Sequence, residues 1–240
     1  MSTLGQLLRA IPSPTMTSVK EELRVSSAVR EAEIETADRL AAAPAASVRE
    51  EQIHSLVHQL FLQQDPVRVR NVCFAPVEAS ATSAHLCLEV AQALAIQGRY
   101  DVGLIDTGPG GVSLQQLLQV PAPHDGSASW QVAPSLWLVP HEAWTKEPRL
   151  DSITDRGLGR LRDFMAEFDF SVLPCAPVSW GTMRIAQYCD GLVLILTANK
   201  TRRLVATQVK EQLAQARIPL LGTVLADRRL PVPEKLYQVL

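Results

Sequence analysis

NVCFAPVEASATSAHLCLEVA, residues 71–91, reads in three parts. Val72, Cys73 and Phe74 form a short apolar run suited to a buried strand. Residues 75–82 are small and polar, and Pro76 interrupts any ladder of hydrogen bonds there. From Ser83 onward, Leu86, Val90, Ala93 and Leu94 recur at helical spacing. Strand, tight loop and helix in succession is the geometry that turns backbone N–H groups and a helix N-terminus toward a phosphate. Further apolar runs alternate with helical patterns downstream, which predicts a layered α/β domain with a mostly parallel central sheet and helices on both faces.

Those segments resemble the cytoplasmic kinase domain of the bacterial tyrosine kinases of polysaccharide export, a branch of the MinD/ParA-type P-loop NTPases with a deviant Walker motif. The family loop runs roughly FTSAxPGEGKTT. Laid on without gaps, Phe74 takes its Phe, and Ser80 and Thr82 take the two glycines of GEGKTT. Ser83 then takes the lysine, Ala84 and His85 the two threonines. Similar matches follow. DVGLID, residues 101–106, resembles the family LLIDAD segment, with Asp106 on its first acid and Gly108 on its second. FDFSVLPCAPV, residues 168–178, resembles YDYVIIDTPPV, with Pro174 on the strand-end Asp. DGLVLILT, residues 190–197, resembles a later strand, and the ending PVPEKLYQVL resembles PIPxxLYxxL. The resemblance implies a P-loop NTPase-like fold over residues 47–240, preceded by a flexible segment, residues 1–46.

Each departure from the family loop removes a chemical function. Glycines let the backbone aim N–H groups at a phosphate, whereas Ser80 and Thr82 carry Cβ atoms that resist such conformations. Ser83 offers no cation to offset phosphate charge, and Ala84 has no hydroxyl for Mg²⁺. Pro174 supplies no carboxylate, so Asp106 is the residual acid. The expectation is therefore no catalytic residue, no metal and no bound cofactor, ATP and Mg²⁺ entering only under an alternative in which displaced residues restore kinase or ATPase activity. Lys200 is the candidate substitute for that alternative. A hydrolase built from Ser83, His85 and Asp106 is disfavoured, because Ser and His two positions apart at a helix start face different ways.

Composition limits the other classes. A net charge of −2, with no basic stripe, argues against nucleic acid as a partner. No apolar run reaches membrane-spanning length, and the N-terminus lacks a basic-plus-apolar leader, so a cytoplasmic protein reaching the membrane only through a partner is expected. Cys73, Cys87, Cys175 and Cys189 have no CxxC spacing and read as buried reduced thiols.

Two regions carry expected partner contacts. Leu4, Leu7, Leu8 and Ile11 follow the i, i+3, i+4, i+7 pattern, so residues 3–11 read either as a docking helix or as a frayed terminus, ended by Pro12 and Pro14. Lys200, Arg202 and Arg203 open a helix at 201–216, where cations oppose the dipole; an acidic partner and a solvated basic turn both fit. A helix at 47–63, with Ser47 and Glu50 as a capping box, presents Ile53, Leu56, Val57, Leu60 and Phe61 on one face. The family's matching helix carries two arginines used in ring assembly, replaced here by His54 and Val57. His54 and His58, one turn apart, read as a solvated face rather than a metal site. The whole predicts a scaffold or regulatory protein of exopolysaccharide or capsule biosynthesis, paired with an active kinase or a membrane chain-length protein.

Overall fold

The structure is a computed structural model, and it describes residues 48–63, 69–80, 82–97, 99–108, 114–120, 127–147 and 152–227. Ser47, residues 3–11 with Leu4, Leu7, Leu8 and Ile11, and the ending at 231–240 lie outside the described residues. Contacts divide the chain into Met1–Glu51 and Gln52–Leu240, and the second unit holds the whole sheet.

Seven strands form one sheet in the order β3-β4-β2-β5-β1-β6-β7. They are β1 (Asn71–Pro76), β2 (Val102–Ile105), β3 (Trp130–Ala133), β4 (Leu136–Val139), β5 (Phe170–Pro174), β6 (Gly191–Thr197) and β7 (Leu220–Ala226). Every pairing is parallel except β3 with β4. β1 lies near the middle, with Val72 opposite Val172 of β5 on one side and Gly191 of β6 on the other. That position explains its unbroken apolar run, since a strand covered on both faces cannot alternate with polar residues.

Helices cover both faces, and the alternation along β1 assigns them. Val72 and Phe74 join one core with helix α1 (residues 48–57) through Val57, and with α2 (Thr82–Ala95) through Leu86, Val90 and Leu94. The chain after α1 widens into a π-helical turn, His58–Leu62, which turns Phe61 edge-on to Phe170 at 5.4 Å between ring centres. A short α3 (Leu114–Leu118) adds Leu114 to this core. Cys73 and Ala75 face the opposite core. It is built from α4 (His141–Trp144), α5 (Asp155–Glu167), α6 (Trp180–Ala186) and α7 (Arg203–Gln215), through Trp144, Leu158, Leu161, Ile185 and Leu213.

The opposite end of the sheet is latched by carboxylates. One oxygen of Asp190 accepts the backbone N–H groups of Arg70 and Asn71, each at 2.8 Å, which ties the start of β1 to the start of β6. Asp169 accepts the N–H of Asp101 at 3.0 Å, tying β5 to β2, and the Arg70 guanidinium donates to the carbonyls of Phe168 and Asp169.

Some boundaries differ from the sequence reading. Residues 120–131 carry Pro121, Pro123 and Gly126, which suit a loop, yet Trp130 and Gln131 open β3, an edge strand held by β4 alone. The apolar spacing of Leu158, Leu161, Phe164 and Met165 suits a helix from Ile153, but α5 begins at Asp155, because Thr154 takes the capping position and accepts the N–H of Gly157. The helix expected at 201–216 starts at Arg203, leaving Lys200 in the preceding turn and Arg202 at the cap.

Candidate functional site

In open α/β sheets the ligand crevice lies beyond the carboxyl ends of the strands, where the strand order reverses. Here that point is the end of β1, since the chain leaves it toward β2 on one side and later returns through β6 on the other. The loop after Pro76 and the first turn of α2 lie there, together with the ends of β2 and β5.

The loop residues Val77, Glu78 and Ser80 are half-buried and Ala79 is exposed. Ser83 is buried, and its hydroxyl donates back to the Ser80 carbonyl at 3.1 Å. Ala84 is buried in the α2 core and His85 is exposed, so the Ser83–His85 pair is not brought together for nucleophile activation. Thr82 begins α2. Glu78, which the sequence reading passed over, belongs to this loop and is half-buried, and its Oε2 is buried without a hydrogen-bond partner among the described residues. A carboxylate within a phosphate-binding loop repels phosphate oxygens. The signal was present in the sequence: residues 77–85 contain a glutamate and no lysine or arginine.

Asp106 follows β2, and its carboxylate is engaged by the backbone. Oδ1 accepts the N–H of Gly108 at 2.9 Å, an Asx-type turn, and Oδ2 accepts the N–H of Leu114, the first residue of α3, at 3.4 Å. Burial raises its pKa above the ordinary carboxylate value, opposed by those two N–H groups and by His141. Gly108 has φ +97°, and a Cβ there would overlap the His141 ring, so only glycine suits both the conformation and the space. His141 is buried against Trp144 with rings edge-on at 5.1 Å. Its Nε2 lies 2.9 Å from the Glu147 carbonyl, while the Trp144 indole N–H donates to the Asp106 carbonyl at 2.8 Å. Sequence reasoning found Asp106 and missed His141 and Trp144, which reach it from a separate helix with no motif of their own.

At the end of β5, the Pro174 carbonyl accepts the Thr107 hydroxyl at 2.6 Å. Thr107 is fully buried, so this bond ties the tips of β2 and β5 together. Lys200, Arg202 and Arg203 are exposed after β6 and at the start of α7. His54 is likewise exposed on α1 and His58 at the start of the π-helical turn, and no group of three metal-ligating side chains occurs among the described residues. No helix among the described residues is long and apolar enough to cross a membrane.

Sheet order, crossover pattern and crevice define an α/β fold of the P-loop NTPase type, in the ParA and MinD arrangement. Solved structures of bacterial kinase domains share it. The kinase domain of VpsO superposes with a TM-score of 0.57 at 19% identity, over 78% of this chain and 98% of that one. The BceF tyrosine kinase domain gives 0.57 at 19% identity, over 73% and 76%. A ParA family ATPase from Chlorobium tepidum TLS gives 0.51 at 15% identity, over 65% and 73%. No family model matches this chain, and no curated protein matches it in sequence.

Proposed function

We propose that this protein is a non-catalytic scaffold or regulatory member of the tyrosine-kinase branch of the fold, acting in exopolysaccharide or capsule biosynthesis or export. The observation that carries the reading is the loop between β1 and α2. It has the place of a phosphate cradle and no cation, with Glu78 in the same loop, no lysine or arginine over residues 77–85, and the Ser83 hydroxyl turned back on Ser80. Mg-ATP would find a glutamate and no lysine in the loop, no Mg²⁺-binding hydroxyl at Ala84 and no strand-end acid at Pro174. Asp106, the acid that remains, already accepts two backbone N–H groups and works as a turn and cap.

Under this reading the chain binds no nucleotide or metal and contributes surfaces. Its partners are proteins of a polysaccharide system, an active kinase or a membrane chain-length protein, met in the cytoplasm at the inner face of the membrane. The expected contacts are Leu4, Leu7, Leu8 and Ile11 in the N-terminal segment and Lys200, Arg202 and Arg203 at the start of α7.

Calorimetric titration of the full chain with Mg-ATP tests the catalytic half of the proposal, and no saturable binding at micromolar concentration is expected. Micromolar affinity would transfer the reading to an active kinase or ATPase with displaced residues. Co-expression with a polysaccharide kinase and its chain-length protein tests the other half, the expected result being co-purification that Lys200→Glu with Arg203→Glu weakens.

A further inference from the structure

Cys73 and Cys175 stand 102 positions apart in the chain, yet their sulfur atoms are 2.8 Å apart. β1 and β5 bring this about. Cys73 lies opposite Leu173 in the register, and Cys175 follows the end of β5 with its N–H on the Phe74 carbonyl at 2.8 Å. Both side chains face the same core. Unbonded heavy atoms rest at about 3.5–4 Å, and a disulfide holds its sulfurs at about 2.05 Å. The pair sits between these limits, on adjacent central strands, at the crevice end of the sheet.

We propose that Cys73 and Cys175 form a thiol-oxidation site, closed to a disulfide by a peroxide and reopened by a dithiol reductant. Cys175 is the entry point, because it keeps 4% of its surface exposed and Cys73 none. Its sulfur, as thiolate, attacks one peroxide oxygen; the O–O bond breaks, and the leaving hydroxide takes a proton to become water. Cys175 is then a sulfenic acid, oxidised by two electrons. The Cys73 sulfur attacks the Cys175 sulfur, the S–O bond breaks, and the departing hydroxyl leaves as a second water with the Cys73 proton. Contact with Cys175 and burial hold the Cys73 thiol well above its ordinary pKa, so Cys73 attacks only as its proton passes to the departing hydroxyl, and this second step is the slower one. In reversal, a dithiol becomes a disulfide as the protein pair returns to two thiols. A cytoplasmic location makes such a bond transient rather than structural. Closed, it would pin the middle of β1 to the residue that follows β5, beside Pro174.

The inference stands on the sulfur geometry and is independent of the scaffold reading, so the outcome with Mg-ATP leaves it untouched. The test uses the full reduced chain, hydrogen peroxide, alkylation of remaining thiols in denaturant, and non-reducing peptide mass spectrometry. The expected product is a cross-linked pair of peptides carrying Cys73 and Cys175, lighter by two hydrogens than the separate peptides. Titratable thiols should fall from four to two, and dithiothreitol should restore them. Cys189→Ser should form the same link, and the oxidised wild-type chain should melt several degrees higher than the reduced one. Recovery of Cys73 and Cys175 as alkylated free thiols after prolonged exposure overturns the proposal, as does a link that instead joins either of them to Cys87 or Cys189. Both outcomes are read on the wild-type chain, so a variant that fails to fold does not obscure them.

Discussion

At Asp106 the energetics of a single side chain give the protein a dependence on pH. Burial raises its pKa in the folded state, so between the unfolded and folded values the folded chain binds more protons. Stability contributed by the neutral acid is complete below the unfolded pKa of about 3.9 and is lost as pH rises through the raised folded value. Asp106→Asn removes the ionisation and keeps an oxygen for the Gly108 N–H. Its melting temperature relative to wild type should therefore climb as pH rises from about 4 to about 7.5, as read by thermal unfolding across that range; a flat difference would show that the two N–H bonds compensate the burial. Gly103 gives a second residue-scale test. A Cβ at this position in β2 would overlap the Phe168 ring, so Gly103→Ala should cost about 1–3 kcal/mol. Denaturant unfolding checks it, and pairing with Phe168→Leu should recover part of the loss.

At the scale of elements, the sequence was most legible where apolar periodicity and position agree. The strand and helix over residues 71–91 fell where expected, because β1 is buried on both faces and α2 keeps one apolar stripe against it. The loop is shorter than expected, since β1 runs on through Ala75 and Pro76, which pair with Leu194 and Ile195 of β6. β3 was illegible for the opposite reason. WQVA, at an edge with half-exposed side chains, carries no distinctive pattern, and its pairing with β4 supplies the definition that composition lacks. The candidate site divides in the same way. The absence of lysine and arginine over residues 77–85 could be read directly, whereas Thr107, His141 and Trp144 come to the site through the fold and leave no spacing signature. Two expectations belong to this scale. Ser83→Lys alone should leave nucleotide binding absent, because Ser80, Ala84, Pro174 and the Glu78 carboxylate still oppose it; an ATP-dependent rise in melting temperature of that variant would show a loop already shaped for phosphate. Ser179 accepts the Thr182 N–H at 3.3 Å as the cap of α6. Ser179→Ala should destabilise by about 1 kcal/mol in chemical denaturation, and Ser179→Asp should recover most of it.

Across the whole molecule, the order of strands in space differs from their order in the chain, and this has a consequence for synthesis. Asn71 pairs with Ser171, one hundred positions later, and Val72 pairs with Gly191 beyond that. β1 is made first among the strands and acquires its neighbours only after β2, β3 and β4 have been made. At about 5–20 residues per second, a ribosome takes about 5–20 s to cover that distance. Throughout that interval Val72, Cys73 and Phe74 have no strand partner, and Cys73 lacks the α5, α6 and α7 side chains that cover its face. β2 pairs with β4 much sooner, so the sheet assembles from one side and its middle closes after residue 197 has emerged. Stalled nascent chains ending near position 165 should remain open to protease around residues 71–76, and chains extended past the end of β7 should not. The newborn chain thus carries its first strand without strand partners through about 100 residues of synthesis, and factors that shield it over that stretch should raise the yield of folded protein.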